Sequence, residues 1–173
     1  TDYLEGEEAY EYYFDAIFAQ NYAKYNRRTM LKQILNKINI KFNEEKVIES
    51  IHNYIDFNDF IMRKGAIASY QGKWCIISLN MRDGILICEG KSNKDWNYSS
   101  AHGSGRLLTR HEAFQKISLK EFEKSMEGIY SSSVVYETID EAPMTYKNTE
   151  IIKKALNDTV TIIDHLYPVL NVK

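Results

Sequence analysis

The sequence predicts an α+β fold, a mixture of helices and short strands in one continuous unit, and three observations carry that prediction. From Glu7 to Lys37 there is no glycine or proline, and apolar residues recur at helical spacing. The middle of the chain breaks into short apolar runs separated by turn residues, the pattern of strands. Beyond residue 110 short helical segments return, and a last strand-type run closes the chain.

In the first helix Tyr10, Tyr13, Phe14, Ile17, Phe18, Asn21, Tyr22 and Tyr25 share a face too wide for a lone surface helix, so it is predicted to be buried against other elements. Asn21, Asn26 and Arg27 are set into that face as polar groups in need of partners. Glu44 to Tyr54 reads as a second helix carrying His52 near its end. Strands are predicted at Phe60–Met62, Ala66–Ala68, Trp74–Ile77 and Ile85–Cys88, with turns at Gln71-Gly72-Lys73, Arg82-Asp83-Gly84 and Gly90–Asn93. Arg63-Lys64-Gly65 reads as a basic turn.

Two short helices follow, His111–Ile117 and Ser118–Met126, the second opened by a capping box between Ser118 and Glu121. Ser131–Thr138 is predicted as a strand, and Asp140-Glu141-Ala142-Pro143 breaks the chain. Asn148 caps a helix running to about Asn157, and Val160–Leu166 is the final strand.

The 173 residues carry 22 Lys+Arg against 24 Asp+Glu, a net charge of −2. That balance argues against wholesale coating of nucleic acid but leaves room for a local basic groove. Cys75 and Cys88 sit in or beside apolar runs without a CxxC spacing, which suggests buried thiols of a reducing compartment rather than a zinc site. No apolar run approaches the ~18–20 residues of a membrane span, and no signal-peptide pattern is present, so no membrane partner and a cytoplasmic location are expected. The chain begins at Thr1 without a methionine and enters a helix almost at once, which reads like a piece of something longer.

The segment richest in chemistry is Ser99-Ser100-Ala101-His102-Gly103-Ser104-Gly105-Arg106, with Thr109 and Arg110 beyond it. Glycines let the backbone N–H groups approach a ligand, and arginines supply paired donors suited to phosphate oxygens. An imidazole beside such a nest can ligate a metal, move a proton or attack phosphorus. Taken alone the loop reads first as a surface turn with a solvent-facing histidine, since His-Gly pairs are common in turns.

The ordered set of local patterns goes further. Asn21-Tyr22-Ala23-x-x-Asn26-Arg27, His52-Asn53-Tyr54, Arg63-Lys64-Gly65-Ala66, the His102 loop, Asp140-Glu141-Ala142-Pro143-x-x-Tyr146-Lys147 and the terminal Val172-Lys173 occur in sequence. Together they resemble the C-terminal half of the RtcB family of tRNA-splicing RNA ligases, over essentially all 173 residues. The resemblance implies an RtcB-like catalytic fold, of which residues 1–173 form the C-terminal portion. It implies GTP-dependent joining of an RNA 3′-phosphate (or 2′,3′-cyclic phosphate) to a 5′-hydroxyl through a covalent histidine–GMP intermediate, with Mn²⁺ in support. By the same resemblance His102 is the nucleophile, His52 a manganese ligand, Tyr146 the contact to guanine and Lys173 the residue that reads its edge. Asn80, Gly103, Ser104, Gly105 and Arg106 line the nucleotide, while Arg63, Lys64, Arg106 and Arg110 meet RNA or phosphate. The implied partners are RNA ends (tRNA halves or broken strands), the missing N-terminal half of the same ligase and, in addition, a helper protein.

Two departures from the family pattern stand out. Many members carry Gly-Ser-Met-Gly ahead of the catalytic loop, where this chain has Leu79-Asn80-Met81-Arg82 followed by Asp83-Gly84. Of the metal ligands expected in the family only His52 lies in these residues, and neither Cys75 nor Cys88 is at a matching position. The 173 residues alone are therefore expected to be inactive, and the intact parent to be the enzyme. Two other readings remain open: a non-catalytic RNA- or nucleotide-binding module that has kept the loop, and a structural α+β domain whose resemblance is ancestral.

Overall fold

A computed structural model describes residues 3–171. The fold is α+β, with helices and small sheets. Its backbone groups into two compact units, Thr1–Val47 with Tyr54–Met62 and Ile48–Asn53 with Arg63–Lys173.

The first unit is dominated by helix α1 (Gly6–Lys37). Its aromatic face is not buried: no residue of the helix is, and Tyr10, Phe14, Phe18, Tyr22 and Tyr25 are all exposed. Asn21, Asn26 and Arg27 are likewise exposed, and the Asn21 amide donates back to Ile17 O at 2.9 Å. No element of this unit is broad enough to cover these side chains. What α1 does hold is a short segment: Gln20 exchanges two bonds with the Ile55 backbone (2.7 and 3.2 Å), and Tyr13 meets Phe57 edge-on.

The predicted second helix over Glu44–Tyr54 is absent. Only a single 3-10 turn forms, at Glu44–Lys46, capped by the Asn43 side chain, and the chain then runs extended into strand β1 (Asn53–Asp56). Val47, Ile48 and Ile51 are β-branched and favour that extended path, and Ser50 anchors it by accepting the Ile76 N–H at 2.6 Å. Arg63 and Lys64 are not in a turn but end strand β2 (Ile61–Lys64), which pairs with β1.

The second unit is built on a three-stranded antiparallel sheet, with β4 (Trp74–Asn80) and β8 (Val160–Leu166) flanking β5 (Gly84–Gly90). Along β4 burial alternates, so that Cys75, Ile77 and Leu79 point into the core while Trp74 and Ser78 face out. Cys75 lies opposite Cys88 in the ladder, and both are free and buried, as expected. Burial pushes the Cys75 thiol up to about 11; burial, and then the neighbouring Cys75, push Cys88 up to about 12. Ile152 of helix α4 (Thr149–Ala155), with Leu156, closes this core.

A second small core of Ala113, Ile117, Phe122, Met126 and Ile139 joins α2 (Arg110–Lys116) to α3 (Leu119–Ser125). Thr109–Glu112 and Ser118–Glu121 both form complete capping boxes. The strand predicted over Ser131–Thr138 shrinks to β7 (Tyr130–Ser131), and residues Tyr136–Glu141 form a 3-10 turn. Local side-chain bonds compete with the ladder here: Ser131 Oγ accepts the Ser133 N–H, and Thr138 Oγ1 donates to Ser133 and Val135 carbonyls. β7 pairs instead with β9 (Leu170–Asn171), in parallel.

Candidate functional site

The His102 loop leaves the end of β6 (Ser99–Ala101), which pairs with β3 (Ala66–Ala68). It is then stitched to the edge of β4: the Ser78 N–H donates to His102 O at 3.2 Å, and the Ser104 N–H donates to Ser78 O at 3.0 Å. Gly103 lies against Ser78 so closely that a Cβ there would sit 2.7 Å from Ser78 O, a contact no side chain tolerates. The loop is thus fastened to the central sheet, with its histidine exposed.

Two contacts fix that histidine. Its Nδ1 lies 2.6 Å from Gly65 O. A carbonyl only accepts, so Nδ1 carries a proton, and in the neutral ring the lone pair is on Nε2. Gly65 adopts φ +69°, a left-handed backbone that favours glycine, and a Cβ on it would make only ordinary contact with the imidazole at 3.7 Å. The His52 ring stacks on His102 with centroids 4.7 Å apart and planes 11° from parallel. A metal in the plane of one of these rings lies out of the plane of the other, so the pair does not converge on a common ion. Among the described residues no group of three or more His, Cys, Asp or Glu is arranged to hold a metal. Cys75 and Cys88, buried as neutral thiols, do not change that.

A cleft of about 710 Å³ opens beside His102, lined by Ser78, Asn80, residues 102–106 and Tyr146, and from the C-terminal side by Tyr167, Pro168 and Asn171. The sequence-predicted residues His102, Gly103, Gly105, Asn80 and Tyr146 therefore meet at one place. Ser104 lines it as well, but the residue is 2 % exposed and its hydroxyl donates to Leu79 O at 2.6 Å, so it braces the loop. Lys173 lies outside the described residues.

The cations predicted to meet phosphate do so unevenly. Arg63 is buried (3 % exposed); it donates to Ser99 Oγ, Tyr70 Oη and the carbonyls of Asn97 and Tyr98, and its guanidinium lies over the Tyr70 ring. It ties the β6 approach together and does not face the cleft. Arg106 lines the cleft, yet its guanidinium donates to Leu108 O and Asp140 O while lying 5.3 Å from the centroid of the Tyr146 ring. Arg110 is exposed and paired with Asp140 at 3.5 Å. Lys64 is exposed at the end of β2.

The divergent loop Asn80–Gly84 is ordered by Asp83. Its carboxylate accepts from Asn80 Nδ2 (2.9 Å), Arg82 Nε (2.8 Å) and Thr149 Oγ1 (2.7 Å), and its carbonyl accepts from His165 Nε2 (2.6 Å). Partial burial pushes the carboxyl up, but the bonds from Arg82, Asn80 and Thr149 outweigh it and hold it down at about 2. Asn80 Oδ1 in turn accepts the N–H groups of Arg82 and Asp83, so most of its amide is spent on the turn. Sequence reasoning overlooked Asp83, Tyr167, Lys147 and the Gly65 carbonyl. The first three stood inside motifs already quoted or in the tail beside Lys173; a backbone carbonyl leaves no sequence signal.

Among the described residues no helix is long and apolar enough to cross a membrane. Comparison with known proteins finds a model of the family described as tRNA-splicing ligase RtcB matching residues 3–173. Two curated relatives from Escherichia coli are similar over nearly the whole chain: RNA-splicing ligase RtcB of strain K12 and RNA-splicing ligase RtcB1 of strain ATCC 25922. Each is 28% identical over 187 residues, which cover 99% of this chain and 46% of the relative. The chain thus spans about half the length of the curated relatives it matches.

Proposed function

The chain belongs to the tRNA-splicing ligase RtcB family, and from that premise we propose that it is the C-terminal half of a cytoplasmic, GTP-dependent RNA ligase whose nucleophile is His102. The observation that carries the reading is the bond from His102 Nδ1 to Gly65 O, which fixes the neutral imidazole as its Nδ1–H tautomer, with the lone pair on Nε2, in a residue that lines the cleft. A nucleophile for phosphorus needs that tautomer, and the carbonyl selects it.

Nε2 attacks the α-phosphorus of GTP, an N–P bond forms, and the bond to the bridging oxygen breaks as pyrophosphate leaves. The imidazole gains positive character, which the Gly65 carbonyl dipole stabilises through the retained Nδ1 proton. An RNA 3′-phosphate oxygen then attacks the same phosphorus and frees the histidine. The 5′-hydroxyl of the second strand finally attacks the activated 3′-phosphate, forming the phosphodiester and releasing GMP. Tyr146 offers an apolar ring to the guanine, and the N–H groups of Gly103 and Gly105 offer donors to the phosphate.

Manganese supports such reactions by neutralising phosphate charge. The described residues do not form a site for it, since His52 stacks on the nucleophile and brings no companion ligands. The family resemblance implies that its other ligands come from outside these residues, and no step above is assigned to it.

The test is a covalent adduct. The intact protein incubated with GTP and Mn²⁺ is expected to gain the mass of one GMP, labile to acid, and His102→Ala to gain none. An adduct of equal yield in His102→Ala would overturn the assignment, and none in either protein would leave a nucleotide- or RNA-binding module as the better reading.

A further inference from the structure

A second cleft, of about 440 Å³, adjoins the first and shares Asn80, Tyr146 and Tyr167 with it. Its wall carries Lys147, the residue after the guanine-facing tyrosine. The Lys147 backbone is locked to the catalytic loop, its N–H donating to Gly105 O at 3.1 Å. Its side chain folds back over the same residue: a carbon built on Gly105 would lie 3.8 Å from Lys147 Nζ and 3.9 Å from Cε. The ammonium therefore stands beside exposed Gly105, where φ is +67°.

We propose that Lys147 is a phosphate-binding residue of the His102 site, gripping a phosphate group that passes over Gly105 between the two clefts. This inference rests on the ligase reading for the identity of the phosphate, not for its presence. Three observations support it together. The neighbouring arginines are occupied: Arg63 and Arg106 by carbonyls, Arg110 by Asp140 and Arg82 by Asp83. The carboxylates of the second cleft are also spoken for, Asp83 by Arg82, Asn80 and Thr149, and Glu150 by Lys153. Among the described residues the Lys147 ammonium has no partner, and neither do the N–H groups of Gly103 and Gly105. A free ammonium beside free backbone donors is the donor set of a phosphate.

Under the ligase reading two phosphates can arrive there: the β,γ-phosphates of GTP, or the terminal phosphate of the RNA strand awaiting guanylylation. The experiment separates them. Lys147→Ala and Lys147→Arg versions of the intact protein are titrated with GTP, with GMP, and with one RNA oligonucleotide ending either in a 3′-phosphate or in a 3′-hydroxyl. Lys147 is exposed, so both variants should melt like the wild type.

Lys147→Ala is expected to weaken a phosphate-bearing ligand about tenfold, with Arg restoring most of the loss. A loss for GTP but not GMP assigns the β,γ-phosphates. A loss for the 3′-phosphate RNA but not its 3′-hydroxyl twin assigns the RNA end. Wild-type affinity of Lys147→Ala for all four ligands would overturn the proposal, as would an equal loss in both variants accompanied by a lowered melting temperature. If the wild type forms no GMP adduct while Lys147→Ala still loses phosphate affinity, the ligase reading falls and the phosphate site stands.

Discussion

Replacing Gly103 with alanine tests whether the fastening of the loop to the sheet is what positions His102. The added Cβ would sit 2.7 Å from Ser78 O, about 0.5–1 Å inside a normal contact. The carbonyl has little freedom to retreat, because it accepts the Ser104 N–H at 3.0 Å while the same residue's N–H donates to His102 O at 3.2 Å. Relief therefore has to come from the loop, which lifts away from β4 and weakens one or both bonds. Overpacking of this kind costs about 1–3 kcal/mol, and in a chain of this length each kcal/mol moves the melting temperature by about 2–4 °C. The adjoining His102 shifts with the loop, and a displacement approaching 1 Å can slow a positioned reaction by about 10²-fold. Urea denaturation of the Gly103→Ala protein, paired with the initial rate of GMP adduct formation in the intact protein, reads both effects. A denaturation midpoint unchanged from wild type would refute the steric argument. Lost stability with an unchanged adduct rate would show that the strain relaxes away from His102, and would refute the positioning argument alone.

Two further outcomes follow from buried or bonded charges in the same unit. Asp83 has its carboxyl held at about 2 against an ordinary 3.8, a gap worth at most ~2.5 kcal/mol and nearer ~1 kcal/mol once solvent screening is allowed for. A depressed acid contributes its full stability above pH ~4 and loses it as pH falls toward 2, so Asp83→Asn should cost ~1 kcal/mol at pH 7 and progressively less below pH 4; urea titrations showing a pH-independent difference would contradict this. Arg63→Met should destabilise by about 2–4 kcal/mol, since it strips charged donors from the carbonyls of Asn97 and Tyr98 and from Tyr70 and Ser99. A variant as stable as wild type but weaker for RNA would return Arg63 to the phosphate-contacting role that the family resemblance implies.

The parts of the fold legible in the sequence are those governed by local signals. The glycine-free run of α1, the Ser118–Glu121 capping box, the Asn148 cap and the apolar runs of β4, β5 and β8 all form close to where the sequence predicts them. Errors arose where two local tendencies compete. Residues 47–52 mix apolar spacing that fits a helix with β-branched residues that fit a strand, and the bond from Ile76 to Ser50 decides for the extended form. At residues 131–138 the serines and Thr138 satisfy the backbone by themselves, so the apolar pair Val134-Val135 never joins a ladder. The burial of the α1 face is a different case. Apolar residues recur along it at helical spacing, but burial depends on a partner surface, which a single helix cannot specify.

The candidate site shows the same division, and its arginines show why. Residue type predicts that an arginine near a glycine loop is a phosphate ligand, yet a guanidinium carries five donors that must be satisfied wherever it sits. Tight loops expose carbonyls that no ladder uses, and these are the nearest acceptors. The carbonyls of Asn97 and Tyr98 take Arg63, and those of Leu108 and Asp140 take Arg106. In doing so the two arginines hold rigid the approach to the loop and its exit, which keeps the short glycine segment between them from collapsing onto its own donors. A phosphate site of this construction therefore needs its mobile cation from elsewhere. Lys147 meets that need: its backbone is tied to Gly105 while its ammonium remains uncommitted. Arginines that build the loop and a lysine that meets the ligand are a division of labour that follows from donor geometry, since the planar fork suits fixed carbonyls and the flexible ammonium suits a group that arrives and leaves.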